Sequence, residues 1–361
     1  MTAPISGFCS PGLEAIEPYI PGEQPRIANL VKLNTNENPY PPSPIAIAAV
    51  REAAASGLER YPDPESLALR SAVARRHGLT VDQVFAGNGS DEVLAHAFFA
   101  FFRQPEPLLC PDVTYSFYRV YAQRYGINCE LQPVDAALHI DVDAFAARAA
   151  RGCGGIVLAN PNAPTGIGLP LTQIERLLRA CPSRVLLLDE AYVDFGGESA
   201  LSLIKKYPNL LVVQTLSKSR ALAGLRVGFA CGQAHLIDAL TRAKDSFNSY
   251  PLGRPAIAGA VAALQDEDWF RHNCRAVIDT REGLTLALED LGFEVLPSQA
   301  NFVFARHPRH DASDLAFALR ERAVLVRHFR APRIAQYLRI SIGTPAQCET
   351  LVQALAAILS V

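Results

Sequence analysis

Short apolar runs alternate with stretches of helical periodicity between residues 67 and about 250. Three of these runs cover residues 156–159, 185–188 and 210–213. Apolar runs without interleaved polar residues are typical of strands that are buried on both faces of a parallel sheet. Helical stretches such as 91–102 and 171–180 would cover that sheet. The pattern predicts an α/β domain with a mostly parallel central sheet.

The flanking segments follow different patterns. Residues 1–33 are rich in proline and glycine and predict an extended N-terminal arm, followed by a helix near residues 43–56. Helical patterning dominates residues 255–291, and three short strands are predicted after it, at 300–306, 323–328 and 337–342. We therefore predict three parts: an arm (1–33), a large domain (34–255) and a smaller C-terminal α/β domain (256–361).

Composition and charge exclude several classes of partner. The 361 residues are 49% hydrophobic, which is enough for a sizeable core, and the formal net charge is −2 with both signs interspersed. No extended basic surface is predicted for nucleic acid or for an anionic membrane. The N-terminal residues lack the features of a signal peptide, and no apolar stretch approaches the length of a membrane span, so a cytoplasmic protein is expected.

Cysteine and histidine spacing predicts no metal site. The eight cysteines form no C-x-x-C pair, the two nearest being nineteen positions apart, and the eight histidines form no H-E-x-x-H motif. We interpret the cysteines as reduced thiols.

Polar residues follow each of the three apolar runs. The first run leads into Asn162, the second into Asp189 and Tyr192, and the third into Ser217 and Lys218. Open α/β sheets bind ligands outside the carboxyl ends of their strands, so these side chains are expected to meet on one small molecule. Together with a nearby arginine, Arg226, the carboxylate, phenol and amine are what pyridoxal phosphate requires.

This set of residues resembles the fold-type I pyridoxal-phosphate aminotransferases. Residues 33–42 (LNTNENPYPP), 60–62 (RYP), 87–92 (GNGSDE) and 337–344 (YLRISIGT) narrow the resemblance to the histidinol-phosphate aminotransferases. These segments extend from the first tenth of the chain to the last, so the resemblance covers essentially all of it. It implies the fold-type I architecture.

The resemblance also implies catalytic roles. Lys218 would hold the cofactor as a Schiff base and, once displaced by the incoming amine, carry a proton. Asp189 would keep the ring nitrogen protonated, and Tyr192 with Asn162 would bind the phenolic oxygen. Family members often carry asparagine directly before the proline where this chain has Ala163, so Asn162 either substitutes for it or is an ordinary turn asparagine.

The turn at residues 87–92 is a candidate phosphate site. Glycines there let the backbone approach a ligand, and Ser90 and Asp91 begin a helix whose first N–H groups attract anions. Such a turn alone is more often a simple helix cap, and a lone Arg226 is more often a surface residue. Their combination with Ser217 favours binding of the cofactor phosphate.

Two tyrosines complete the expected cofactor site. Tyr115 matches the family residue whose ring stacks on the pyridine, although a core tyrosine would also fit the pattern. Tyr118 and Tyr121, at helical spacing from it, are better explained by packing. Tyr61 resembles the residue that reaches the phosphate from the other subunit, which makes a homodimer part of the prediction.

Four further residues are candidates for substrate binding: Tyr19, Asn301, Arg327 and Arg339. Tyr19 resembles the arm residue that closes over the substrate, and the two arginines resemble the pair that binds the substrate phosphate. Arg339 also matches the position that binds the α-carboxylate of ordinary amino acids in the wider family.

These residues predict transamination of L-histidinol phosphate with 2-oxoglutarate, giving imidazole acetol phosphate and L-glutamate. An aromatic amino-acid aminotransferase and a threonine-phosphate decarboxylase are alternatives on the same scaffold. A noncatalytic regulator that senses the cofactor is a fourth, but it would need a DNA-binding module, and a proline-rich arm precedes residue 30 instead.

Overall fold

The computed structural model describes residues 8–10 and 12–360. Eleven α-helices lie within this part of the chain: α1 (Pro44–Ala54), α2 (Leu67–His77), α3 (Gly89–Phe101), α4 (Phe117–Tyr125), α5 (Val142–Ala149), α6 (Leu171–Ala180), α7 (Ala234–Asp245), α8 (Arg254–Gln265), α9 (Glu267–Asp290), α10 (Ala312–Glu321) and α11 (Pro345–Leu359). Twelve strands accompany them: β1 (Val31–Leu33), β2 (Val84–Asn88), β3 (Leu108–Pro111), β4 (Cys129–Gln132), β5 (Gly155–Ala159), β6 (Leu186–Asp189), β7 (Leu210–Thr215), β8 (Val227–Gly232), β9 (Glu294–Val295), β10 (Phe302–Arg306), β11 (Val324–His328) and β12 (Leu338–Ser341). None of these helices is long and apolar enough to cross a membrane.

The larger sheet has seven strands in the order β2-β8-β7-β6-β5-β3-β4. All neighbouring strands are parallel except that β8 runs antiparallel to both β2 and β7. Alternate residues of β6 enter separate apolar cores, with Leu186 and Leu188 on one face and Leu187 on the other. The sheet is thus buried on both faces, which confirms the prediction of a mostly parallel α/β domain.

The smaller sheet has five strands in the order β1-β11-β12-β10-β9. Strand β1 pairs in parallel with β11, while the other neighbours are antiparallel. The three strands predicted after residue 300 are confirmed as β10, β11 and β12. Strand β1 lies at the end of the segment that the sequence predicted only as an extended arm.

Helices α8 and α9 connect the two sheets. Ala260, Ala263 and Leu264 of α8 belong to the core of the larger sheet, and α8 packs so closely on α1 that a Cβ at Gly259 would lie 2.5 Å from Val50 Cγ2. Buried residues of α9 belong to the core of the smaller sheet. The domain bounds 34–255 and 256–361 stay a prediction.

Candidate active site

A cavity of about 270 Å³ lies at the carboxyl ends of β6 and β7, facing the start of α3 and the arm. Eleven of the predicted site residues line it: Tyr19, Ser90, Asp91, Tyr115, Asp189, Tyr192, Ser217, Lys218, Arg226, Arg327 and Arg339. They come from both sheets, from the arm and from the loops that follow strands. The residues predicted after β6 and β7 therefore converge in one cavity, whereas Asn162, predicted after β5, does not line it.

Asp189 is the buried carboxylate of the cavity. It ends β6, and its two oxygens accept hydrogen bonds from the Tyr118 hydroxyl at 3.0 Å and from the Ala191 N–H at 3.2 Å. Burial raises the pKa of Asp189 to about 6, and these hydrogen bonds only partly offset that effect. A cationic partner in the cavity would favour its ionised form, as required of a counter-ion to a protonated ring nitrogen.

Tyr192 follows β6 and is half-buried between the two sheets. Its ring meets Phe302 edge to face, with centroids 5.1 Å apart, and its hydroxyl accepts a hydrogen bond from Asn36 Nδ2 at 3.1 Å. Lys218 Nζ lies 5.8 Å from the centroid of the Tyr192 ring. The phenol and the amine therefore share the centre of the cavity.

Lys218 follows β7 on a loop fixed from its backbone. The Lys218 carbonyl accepts a hydrogen bond from Asn38 Nδ2 at 2.9 Å, while Nζ donates to the Thr35 carbonyl at 3.4 Å. A single long hydrogen bond to a carbonyl leaves the ammonium group available for other partners. The lysine is thus anchored at its main chain and adjustable at its reactive end.

The start of α3 forms the anion-binding end of the cavity. Its N-cap residue, Asn88, makes no side-chain cap hydrogen bond. Gly89 has φ +76°, and a Cβ there would lie 2.5 Å from Arg226 Nη2, so only glycine lets the guanidinium approach this turn. Arg226 itself donates to Asp91 at 2.8 Å. Helix N–H groups, Ser90, Ser217 and Arg226 together suit a phosphate group.

Tyr115 connects this anion-binding end to the aromatic wall. Its hydroxyl donates to Asp91 Oδ1 at 3.2 Å, and its ring meets Tyr118 edge to face at 5.5 Å and Tyr19 at 6.2 Å. Burial, with the nearby Asp91 carboxylate, raises the pKa of Tyr115 far above its ordinary value. The residue is a neutral phenol whose ring lines the cavity.

Arg327 and Arg339 form the cationic end of the cavity next to the arm. They are directly opposite each other on β11 and β12. Arg327 donates to the carbonyls of Ile20 and Pro21 at 3.3 and 3.4 Å, and Arg339 donates to the Asn34 carbonyl at 3.1 Å. Burial lowers the pKa of Arg339, with a smaller contribution from Arg327. Like charges opposite each other cost stability unless an anion joins them.

Three predicted site residues do not line the cavity. Asn162 is buried, and its amide binds another loop of the protein, donating to the Val113 carbonyl and accepting from Thr114, both at 2.9 Å. Asn301 is buried and donates to the Asn36 carbonyl at 2.9 Å. Tyr61 is 80% exposed and stacks on Tyr250. Their roles in binding stay predictions.

Two residues that contact the site were not predicted for it. Tyr118 is fully buried, as packing required, yet its hydroxyl also bonds Asp189. Asn36 is buried, lines the cavity and bonds Tyr192. Its position in the Asn34-Thr35-Asn36-Glu37-Asn38 segment was the available signal, because polar residues cluster there directly after a strand.

A buried carboxylate, a phenol, a primary amine and a phosphate-type anion site in one cavity fit pyridoxal phosphate, and they are the features of an enzyme that uses this cofactor. The sequence matches the aminotransferase class I and II family over residues 28–355. The chain belongs to this family, whose members depend on pyridoxal phosphate, and it is an aminotransferase.

Individual relatives cover nearly the whole chain. It is 60% identical over 355 residues to histidinol-phosphate aminotransferase 2 of Rhizobium meliloti, covering 98% of this chain and 100% of that protein. It is 58% identical over 356 residues to the histidinol-phosphate aminotransferase of Gluconacetobacter diazotrophicus, covering 99% of both. The crystal structure of histidinol-phosphate aminotransferase from Sinorhizobium meliloti in complex with pyridoxal-5'-phosphate gives a TM-score of 0.83 at 26% identity, covering 91% of this chain and 90% of that one. The fold-type I prediction is confirmed.

Proposed function

We propose that this protein transfers the amino group of L-histidinol phosphate to 2-oxoglutarate, giving imidazole acetol phosphate and L-glutamate in histidine biosynthesis. The proposal rests on the family, on relatives named for this reaction at 58% and 60% identity, and on the cationic end of the cavity. The observation that carries it is the cross-strand pair Arg327 and Arg339.

The arginine pair suits a phosphate better than a carboxylate. Among the described residues, the hydrogen-bond acceptors of both guanidinium groups are backbone carbonyls, which leave the positive charges uncompensated. Two arginines supply several N–H donors to a dianion, and a charge-assisted hydrogen bond is about twice as strong as a neutral one. A single carboxylate would bind Arg339, and Arg327 would keep only its hydrogen bonds to the carbonyls of the arm.

The other site residues have defined tasks in this proposal. Bound pyridoxal phosphate supplies an aldehyde for the substrate amine and a ring that withdraws electrons from the substrate Cα. Asp189 holds a proton on the ring nitrogen, and Tyr192 donates its hydroxyl proton toward the phenolic oxygen. Ser90, Ser217 and Arg226 hold the phosphate.

Lys218 moves the proton. Its Nζ lines the cavity beside Tyr192 and near the Thr35 carbonyl, where a free amine could take the proton from the substrate Cα and deliver it to the carbon that the cofactor supplies as its aldehyde. The adjustable side chain on a fixed backbone suits a group that accepts a proton at one carbon and donates it at another. Tyr115 and Tyr19 place an aromatic wall beside the reacting atoms.

A homodimer is part of the same proposal. Tyr61 and Tyr250 are exposed and stack with ring centroids 4.6 Å apart, although two exposed aromatic rings gain more when a partner covers them. A groove of about 890 Å³, lined by Phe99, Phe117 and Phe247, lies along α3. We expect a second copy to cover this surface and to receive Tyr61 in its phosphate site.

Mixing the Lys218→Ala and Tyr61→Ala variants tests whether each active site contains residues of both subunits. A dimer of one Lys218→Ala subunit and one Tyr61→Ala subunit contains one site with both residues intact. We expect the mixture, after subunit exchange, to recover up to a quarter of the wild-type activity by random pairing, roughly. If native mass spectrometry of subunits carrying tags of different mass shows exchange but no activity is recovered, Tyr61 lies outside the partner's site.

A cytoplasmic location is also proposed. The cysteines of the described residues are free thiols, including six that are buried. Disulfides are rare in reducing compartments, so this supports the cytoplasm.

A half-reaction titration tests the substrate. Cofactor-loaded protein is mixed with L-histidinol phosphate, L-phenylalanine or L-threonine phosphate, and the change from pyridoxal to pyridoxamine absorbance is followed. We expect fast conversion by histidinol phosphate. Preference for phenylalanine would instead indicate an aromatic aminotransferase, and carbon dioxide release from threonine phosphate would indicate a decarboxylase.

A further inference from the structure

Asn36 is fixed by hydrogen bonds at all of its polar groups. Its N–H donates to Ser341 Oγ at 2.8 Å, and its Oδ1 accepts from the same Ser341 hydroxyl at 2.8 Å. Its carbonyl accepts from Asn301 Nδ2 at 2.9 Å, and its Nδ2 donates to the Tyr192 hydroxyl at 3.1 Å. The residue is 1% exposed and has φ +55°. Such a network permits little freedom of the amide.

The network fixes the direction of the bond to Tyr192. The buried Ser341 hydroxyl needs an acceptor for its proton, and Asn36 Oδ1 supplies it. The amide NH2 group therefore faces Tyr192, and an NH2 group can only donate. The Tyr192 oxygen accepts this bond and keeps its own proton for a partner in the cavity.

We propose that Asn36 is a positioning residue that holds Tyr192 as a hydrogen-bond donor toward the phenolic oxygen of the cofactor. This rests on the role of Tyr192 in the proposed function. Ser341 lies on β12, two residues after Arg339, and Asn301 directly precedes β10. Residues of and next to the smaller sheet, which also contributes Arg327 and Arg339, thereby determine in which direction the Tyr192 hydroxyl donates its proton.

Asn36→Asp tests the direction of the bond. This substitution keeps the shape of the side chain, and aspartate tolerates a positive φ, but it replaces the NH2 donor with an acceptor. Tyr192 would then turn its proton away from the cofactor. The measured quantity is the midpoint pH at which the Schiff base between Lys218 and the bound cofactor loses its proton, followed by the change in absorbance. A hydrogen bond donated to the phenolic oxygen stabilises the deprotonated form, so its loss should raise this midpoint by about one unit or more.

Two further variants separate positioning from a general structural role. Asn36→Gly keeps the positive φ without strain and removes the amide, and Ser341→Ala removes the contact that orients it. Both should raise the midpoint by less than Asn36→Asp. Asn29→Gly is the matched control, since Asn29 is an exposed asparagine with φ 54° and should change nothing.

Tyr192→Phe distinguishes this inference from the proposed function. It should raise the midpoint by itself, and adding Asn36→Gly to it should have no further effect on the midpoint. Cofactor affinity of the apoprotein, measured by equilibrium dialysis, should follow the same order. A shift with Tyr192→Phe but none with Asn36→Asp, Asn36→Gly or Ser341→Ala would overturn the positioning role alone. No shift with Tyr192→Phe would overturn the role of Tyr192 and this inference with it.

Discussion

The two ends of the cavity are held by different kinds of contact. At the cofactor end, Asp189 is bonded by a fully buried tyrosine, Tyr118, within the core of the larger sheet. At the substrate end, Arg327 is bonded by carbonyls of the arm, and the arm is tied to α10 by an exposed ion pair between Glu23 and Arg320. Buried networks permit one arrangement, whereas exposed contacts exchange readily with water. In the proposed function, the reaction takes place at the rigid end, and the substrate is selected at the adaptable end.

Removing Lys218 should give the largest effect and should act on chemistry alone. We expect Lys218→Ala to lower kcat by a factor of about 10⁴ or more, because no other lysine of residues 8–10 and 12–360 lines the cavity to move the proton. Stopped-flow spectroscopy of the half-reaction measures this rate, and absorbance shows whether cofactor is retained. Lys205→Ala, at an exposed position, is the control with unchanged rate. A fully active Lys218→Ala protein would exclude the proposed site.

Arg327→Ala should act on substrate choice instead. Losing one partner of a charge-assisted contact to phosphate costs about 2–4 kcal/mol, which is roughly a 30- to 1000-fold loss in kcat/KM for histidinol phosphate. Turnover of phenylalanine, which lacks the phosphate, should change only a few-fold. Arg330→Ala, on an exposed position nearby, is the control. Equal losses for both substrates would show that Arg327 supports the structure rather than the phosphate.

The buried carboxyl group of Glu190 should make the free energy of unfolding depend on pH. Glu190, next to Asp189, is buried and accepts hydrogen bonds from Ser199, Ala200 and Gln214, yet burial raises its pKa to about 7. A folded-state pKa above the unfolded value stabilises the protein at low pH, and this contribution is lost as pH rises from about 4.5 to about 7.

Denaturant unfolding of the apoprotein across that range measures the effect. Relative to Glu190→Gln, the wild type should lose roughly 3 kcal/mol of unfolding free energy between the two ends of the range. Glu198→Gln, at an exposed position, should follow the wild-type curve. Parallel curves for wild type and Glu190→Gln would show that Glu190 ionises as readily in the folded state as in the unfolded one.

The smallest effect is expected at the arm. Arg320 and Glu23 are 41% and 47% exposed, so Glu23→Gln removes less than about 1 kcal/mol. We expect KM for histidinol phosphate to rise about two- to fivefold with kcat unchanged, and the difference to shrink in high salt. Glu294→Gln breaks the comparably exposed Arg306–Glu294 pair away from the arm and should leave KM unchanged. A fall in kcat would indicate that the arm also positions reacting groups.

Local patterning predicted the framework of the rigid end well. The apolar runs at 156–159, 185–188 and 210–213 became β5, β6 and β7, because a strand buried on both faces has to be apolar throughout. The polar groups after β6 and β7 met in one cavity for the same topological reason. Local periodicity could not reveal that β8 inserts antiparallel between β2 and β7, since strand pairing depends on contacts distant in sequence.

The residues missed by sequence reasoning act through a single polar atom on a mostly structural side chain. Tyr118 has the spacing of a core residue, and only the fold shows that its hydroxyl reaches Asp189, 71 positions away. Asn36 lies beside Ser341 only because the smaller sheet brings residues 305 positions apart together. The buried hydrogen bonds of Asn162 also reach residues 48 and 49 positions away, so a pattern of residue types could not reveal them.

Strand β1 has a consequence for how the chain can be cut or fused. Its three residues cover the open edge of β11 by parallel pairing, directly before the segment that reaches the active site. Uncovered strand edges are templates for pairing with other chains. A shortened protein that begins after Leu33 would expose that edge of β11 and promote self-association. A shortened protein that still contains Val31–Leu33 would keep β11 paired.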